Sequence, residues 1–152
     1  MRILTLFAVL YAAAGAGLAQ APSAGAAPVD TSNLKSVGTM SELMLNIIYP
    51  TSDEIFYVDK EETGKKSAKE WADLKNNALM LAESANLLMA PNRARDNDQW
   101  MRDAKLLWEA GNKAFIAAKA KDLPALVALN AELYEACQSC HVHYRPNYRR
   151  RP

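Results

Sequence analysis

Residues 67–89, SAKEWADLKNNALMLAESANLLM, carry the clearest structural signal in the chain. Ser67 and Glu70 have the spacing of a capping box, in which each side chain accepts a hydrogen bond from a backbone amide at the start of a helix. Pro91 follows shortly after, where a helix is expected to end. Between these signals, apolar residues recur at the spacing of one buried helix face: Trp71, Leu74, Ala78, Leu81, Ala85 and Leu88. The stretch therefore predicts one long amphipathic helix.

The segment upstream has the same periodicity. A first helix is predicted over about residues 34–49, where the stripe at spacings of three and four consists of Leu34, Val37, Met40 (or Ser41), Met44, Ile47 and Ile48. Pro50 is expected to end or kink this helix, because proline lacks the amide that an interior position needs. Thr51, Ser52 and Asp53 are then expected to cap a short continuation.

Two further helices are predicted downstream. The third covers about residues 98–120, with the apolar positions Met101, Ala104, Leu107 (or Trp108), Gly111, Phe115 and Ala118. The fourth begins at the cap Asp122, with Pro124 in its first turn, and runs to about Tyr144. Four amphipathic helices joined by short loops predict an all-α fold, an antiparallel up-down-up-down four-helix bundle.

The N-terminal residues have the pattern of an export signal. A basic Met1-Arg2 precedes a short apolar run, and Gly17 and Ala19 place small residues at a cleavage site. We therefore expect a signal peptide over 1–19, a flexible leader over 20–33 and the folded domain over 34–152. Loss of Arg2 takes the formal charge from +1 to 0, so the composition implies no nucleic-acid partner. No later stretch approaches the ~18 apolar residues of a membrane span, so we expect no integral membrane protein.

The only two cysteines, Cys137 and Cys140, lie in the sequence CQSCH. A redox disulfide is disfavoured, because such a pair belongs at a helix start, where the helix dipole lowers a thiol pKa. A zinc site is disfavoured because His141 and His143 point ~200° apart on a helix. Haem attachment needs what is present, namely two thiols one turn apart followed by an imidazole. The pattern therefore predicts one covalent haem c, with His141 bound to its iron.

The stretch Cys137-Gln-Ser-Cys140-His141-Val-His-Tyr144-Arg145 resembles the C-x-x-C-H-x-x-[FY]-R ending of cytochrome c′ and its low-spin relatives. A first-helix segment, Leu43-Met44-x-x-Ile47-x-x-Pro50-x-x-Asp53, is similar to one in the members of that family that contain Met. The resemblance implies an exported four-helix bundle with thioethers at both cysteines and His141 as the proximal ligand. It also implies that Arg145 lies near the proximal face and that Tyr144 packs near the haem edge.

The sixth iron position is expected to decide the function. By the resemblance, Met44 is the preferred ligand, and Met40, one turn earlier on the same face, is the second candidate. A Met ligand predicts a periplasmic or otherwise exported one-electron carrier rather than an enzyme, serving redox partner proteins. The alternative is a five-coordinate protein that binds NO or CO at an open distal site. A homodimer is expected only by analogy with the family.

Overall fold

The computed structural model describes residues 30–31, 33–60 and 66–145, and all regular secondary structure within them is helical. The described residues from Thr31 to Arg145 belong to one compact unit. The elements are α1 (Met40–Leu43), a π-helix (Met44–Ile48), α2 (Tyr49–Phe56), α3 (Ala68–Met89), α4 (Gln99–Ala120), α5 (Leu123–Ala128) and α6 (Asn130–Tyr144). The predicted all-α class is confirmed, with four long helical segments compatible with a helical bundle. The predicted signal peptide and nearly all of the predicted leader lie outside the described residues.

The first helix consists of α1, the π-helix and α2, which follow one another without interruption over residues 40–56. The start predicted at residue 34 is wrong, because Leu34 is half exposed, Val37 is fully exposed, and both precede the helix. Thr39 is the N-cap: its hydroxyl accepts from the amide of Glu42, and the Glu42 carboxylate accepts from the amide of Thr39 at 2.8 Å. This capping box fixes the start at Met40.

Of the two outcomes predicted for Pro50, an end or a kink, the structure excludes the end, because the helix continues through this residue. The wide turn of the π-helix immediately precedes it, and the Tyr49 amide donates to the Met44 carbonyl. In a regular α-helix, the ring of a proline collides with the carbonyl four residues earlier, and the wider turn relieves this collision. Thr51 does not cap a new helix, since its hydroxyl donates back to the Ile47 carbonyl at 2.6 Å. Ser52 bonds back to the Tyr49 carbonyl in the same way, at 2.9 Å.

The second and third helices largely match the predictions. Ser67 and Glu70 form the predicted capping box, and α3 ends at Met89, just before Pro91. The predicted apolar positions of α3 are buried, apart from a half-buried Trp71 at its start. In α4, Leu107 is buried, whereas its neighbour Trp108 is exposed.

The fourth predicted helix is divided. Asp122 caps α5 by accepting from the Ala125 amide at 3.0 Å, as expected. A turn at Leu129 then separates α5 from α6, so the single helix predicted up to Tyr144 is interrupted once. The preceding turn contains Lys121 with a left-handed φ of 58°, a conformation usually taken by glycine.

The core is centred on the pair α3–α4, which is the most extensively packed pair of helices, followed by α4–α6 and α2–α3. Small residues allow the close approach of α3 and α4: Ala78, Ala82 and Ala85 on one side, and Ala104, Gly111, Ala114 and Ala118 on the other. Within the described part of the chain, no helix has the length and apolar character needed to cross a membrane.

Candidate functional site

Cys137 and Cys140 lie one turn apart near the C-terminal end of α6, and both are partly buried free thiols. Burial raises the pKa of Cys137. Burial, with smaller contributions from the charges of Asp103 and Cys137, raises the pKa of Cys140 to about 11. Both thiols are therefore protonated at neutral pH in this fold, whereas disulfide exchange needs a thiolate. This protonation argues against a redox switch at CQSCH.

His141 follows the cysteines directly and is partly buried. Burial, together with the positive charge of Arg145, lowers the pKa of its imidazole. A lowered pKa favours the neutral ring at pH 7, and the neutral ring is the form that binds metal ions. Arg145 itself is exposed at the C-terminal cap of α6.

Tyr144 occupies the last position of α6, where it contacts the loop before α4. Its ring packs edge-on against that of Trp100, with 4.9 Å between the ring centroids, and its hydroxyl donates to the Asp96 carboxylate. Burial, followed by the hydrogen bond and charge of Asp96, raises the pKa of Tyr144 to about 12. Trp100 in turn donates from its indole nitrogen to the Leu88 carbonyl at 2.8 Å. Tyr144 thus connects the end of α6 to α3 and α4.

Asp103 is a buried acidic residue that the sequence analysis missed. Its side chain is 1% exposed, and one carboxylate oxygen accepts from Ser139 at 2.7 Å and from Gln99 at 2.9 Å. The other oxygen lies 2.9 Å from Nδ1 of His143. His143 is 41% exposed, as expected, while Nδ1 of its ring reaches the buried carboxylate of Asp103. The signal that could have found Asp103 is its place on a second apolar stripe of α4, between Trp100 and Leu107.

Met44 begins the π-helix and is partly buried against the core. Met40 is also partly buried, and it lines a cavity of about 320 Å³ together with Arg93 and Arg95. A second cavity, of about 510 Å³, is lined in part by Met89 and Met101. Neither cavity is lined by Met44, Cys137, Cys140 or His141.

The first helix and α6 are in contact mainly at one end. There α2 packs against both α5 and α6, and the Asn130 side chain donates to the Phe56 carbonyl at 3.2 Å. Toward the other end, the π-helix packs against α3 instead, while α6 packs against α4. The half of the first helix that carries Met44 is therefore not tightly paired with the half of α6 that carries CQSCH.

Among the described residues, no three or more His, Cys, Asp and Glu side chains form a group that could hold a metal ion. A haem does not require such a group, because the porphyrin supplies four of the iron ligands. Comparison with models of protein families, with curated proteins and with solved structures finds no match to this chain.

Proposed function

We propose that the chain is an exported monohaem c-type cytochrome that carries one electron between partners. In this proposal, Cys137 and Cys140 bind the haem covalently, and His141 and Met44 are the axial ligands. The domain is then an up-down-up-down four-helix bundle with its haem between the first helix and α6.

The observation that carries the proposal is the donor set on the last turns of α6. Two free thiols one turn apart precede an imidazole whose lowered pKa favours the neutral ring. This set fits covalent haem attachment by its spacing and by the charge state of each group. The weak pairing between α6 and the N-terminal half of the first helix leaves that side of α6 without a closely packed helix.

The register of the two helices favours Met44 over Met40. Contacts of the 90–98 loop with both Gly38 and Tyr144 bring the start of the first helix and the end of α6 to one end of the fold. The bond from Asn130 to Phe56 joins the opposite ends, so the two helices run antiparallel. At 1.5 Å per residue, Met44 lies ~18 Å from Phe56 along the axis and His141 lies ~17 Å from Asn130. Met40 lies ~24 Å from Phe56 along the axis, so it is about one helical turn farther along the bundle than His141.

A bound haem supplies a one-electron iron couple, and a Met ligand favours electron transfer over gas binding. The chain contributes the two tethers, a neutral imidazole fixed at the end of a packed helix, and a thioether on the facing helix. With His141 and Met44 held by packed helices, a bound haem would exchange its electron with little rearrangement of the chain. Redox partner proteins belong to the same proposal, and the homodimer stays a prediction.

The test is to produce the chain with haem-attachment machinery and to record the absorption spectrum of the oxidised protein. The expected spectrum is low-spin and shows the weak long-wavelength band that a Met–iron bond gives. Met44→Ala should abolish this band and convert the iron to high spin. Met40→Ala is the matched control, on the same helix face one turn away, and should keep the band.

Two outcomes would contradict the proposal in different ways. Wild-type protein that carries no covalent haem after denaturation would refute haem attachment at Cys137 and Cys140. A haem-containing wild type with a high-spin spectrum that changes when NO or CO binds would refute the carrier function. That second result would establish the five-coordinate alternative, in which Met44 keeps its packing against the core.

A further inference from the structure

The Asp103 carboxylate is the most completely buried charged group in the described part of the chain. Burying a carboxylate is costly unless hydrogen bonds compensate for the lost water. Here three side chains surround its two oxygens: Gln99 from the preceding turn of α4, and Ser139 and His143 from α6. Two of these three partners belong to the helix that carries the cysteines, so the carboxylate serves the α4–α6 contact.

The two α6 residues that contact Asp103 lie within and just beyond the CQSCH sequence. Ser139 is the residue between Cys137 and Cys140 that immediately precedes the second thiol, and His143 lies one turn beyond it. Residues four apart share a face of a helix, so Asp103 holds this face of α6 against α4. Fixing this face also fixes the direction in which the thiols and His141 project.

The charge of Asp103 also acts on the thiol end of α6. The hydrogen bond from Ser139, at 2.7 Å, places this charge directly beside the attachment turn, because Ser139 lies between the two cysteines. A negative charge near the iron stabilises the oxidised, more positive state relative to the reduced state. The effect is large only for a charge shielded from water. Asp103 is shielded, whereas Glu109 of α4 and its N-cap Asp98 are exposed.

From these contacts we infer that Asp103 is a positioning residue for the haem site and lowers its reduction potential. Its carboxylate fixes the attachment turn through Ser139 and His143 and keeps one negative charge beside Cys140. The inference rests on the proposed haem attachment. It adds to that proposal a residue outside CQSCH that sets the potential.

The test compares Asp103→Asn with wild type by spectroelectrochemical titration of the haem protein at one fixed pH. Neighbouring helix axes lie ~8–10 Å apart, and at an effective dielectric constant of ~20 one unit charge at this range shifts an equilibrium by about 20-fold. The expected result is therefore a reduction equilibrium shifted about 20-fold toward the ferrous state, ~77 mV for a one-electron couple. Asp98→Asn is the matched control, because it makes the same chemical change on an exposed residue beside α4 and should leave the potential unchanged.

Two further variants separate the charge from simple support of the fold. Asp103→Glu retains the charge and should keep the potential near that of wild type, even if the protein is less stable. Ser139→Ala removes one hydrogen bond but keeps the carboxylate, so it should leave covalent haem in place and move the potential in the opposite direction. If Asp103→Asn does not fold, the direction in which Ser139→Ala moves the potential still decides the sign.

A reduction equilibrium of Asp103→Asn that differs less than twofold from that of Asp98→Asn, a difference of about 18 mV in potential, would overturn the inference. So would an Asp103→Glu variant whose potential rises as far as that of Asp103→Asn. Failure of the proposed function looks different, because wild-type protein would then contain no covalent haem and no potential to measure.

Discussion

Gly111→Ala is expected to destabilise the fold, although alanine is the better helix former. Gly111 is buried in α4, and a Cβ atom added there would lie 2.8 Å from both the Cα and the amide nitrogen of Ala82 in α3. These are backbone atoms of the most extensively packed helix pair, so they cannot rotate away and the two helices must separate. Overpacking of this kind costs ~1–3 kcal/mol, and a contact against backbone belongs at the upper end of that range.

Two opposing terms decide the size of the effect. Replacing glycine by alanine inside a helix gains ~1 kcal/mol of helix propensity. The net expectation is a loss of about 1–2 kcal/mol in the free energy of unfolding, measured by urea denaturation followed by circular dichroism. The corresponding decrease in melting temperature is roughly 4–8 °C for a domain of this size.

Gly38→Ala is the matched control for this prediction. A Cβ atom at Gly38 would meet only the Glu42 side chain, at an ordinary contact distance of 3.4 Å. Its stability should therefore equal that of wild type or increase slightly, because alanine restricts the unfolded chain. The reasoning would be refuted if Gly111→Ala unfolded at the same urea concentration as Gly38→Ala or a higher one.

Two further predictions concern the end of the fold near CQSCH. Trp100→Phe removes the donor to the buried Leu88 carbonyl and should lower the free energy of unfolding by about 2–3 kcal/mol in urea denaturation. Trp108 is exposed on the same helix, so Trp108→Phe should lower it by less than ~0.5 kcal/mol. Equal losses for the two variants would contradict the role given to the Trp100–Leu88 hydrogen bond. The pKa of Tyr144 is raised to about 12 in the folded protein, so the neutral phenol stabilises the folded state. This contribution to the free energy of unfolding is present below pH ~10 and is lost as the pH rises toward 12. Denaturation midpoints at pH 9 and pH 11 should consequently fall further for wild type than for Tyr144→Phe, and parallel losses would show that the phenol is not the cause.

The helices that the sequence predicted well are those with strong local signals. Ser67 and Glu70 form a capping box within one turn, and the apolar stripe that follows them needs no distant partner to define its period. The start of the first helix was missed although Thr39 and Glu42 have the same spacing, because the apolar Leu34 and Val37 extended the pattern upstream. Their exposure shows that periodicity alone does not establish burial.

The sequence by itself determined the all-α class, most helix boundaries and the CQSCH donor set, because caps, proline positions and thiol spacing act within a few residues of one another. Only the tertiary structure decided that the segments before and after Pro50 form one uninterrupted helix and that Leu107, not Trp108, faces the core. It alone also brought Asp103 to Ser139 and His143, partners 36 and 40 residues away. The physical reason is that a buried polar side chain such as Asp103 needs hydrogen-bond donors from another helix. A local sequence pattern does not specify which donors on a distant helix will contact it.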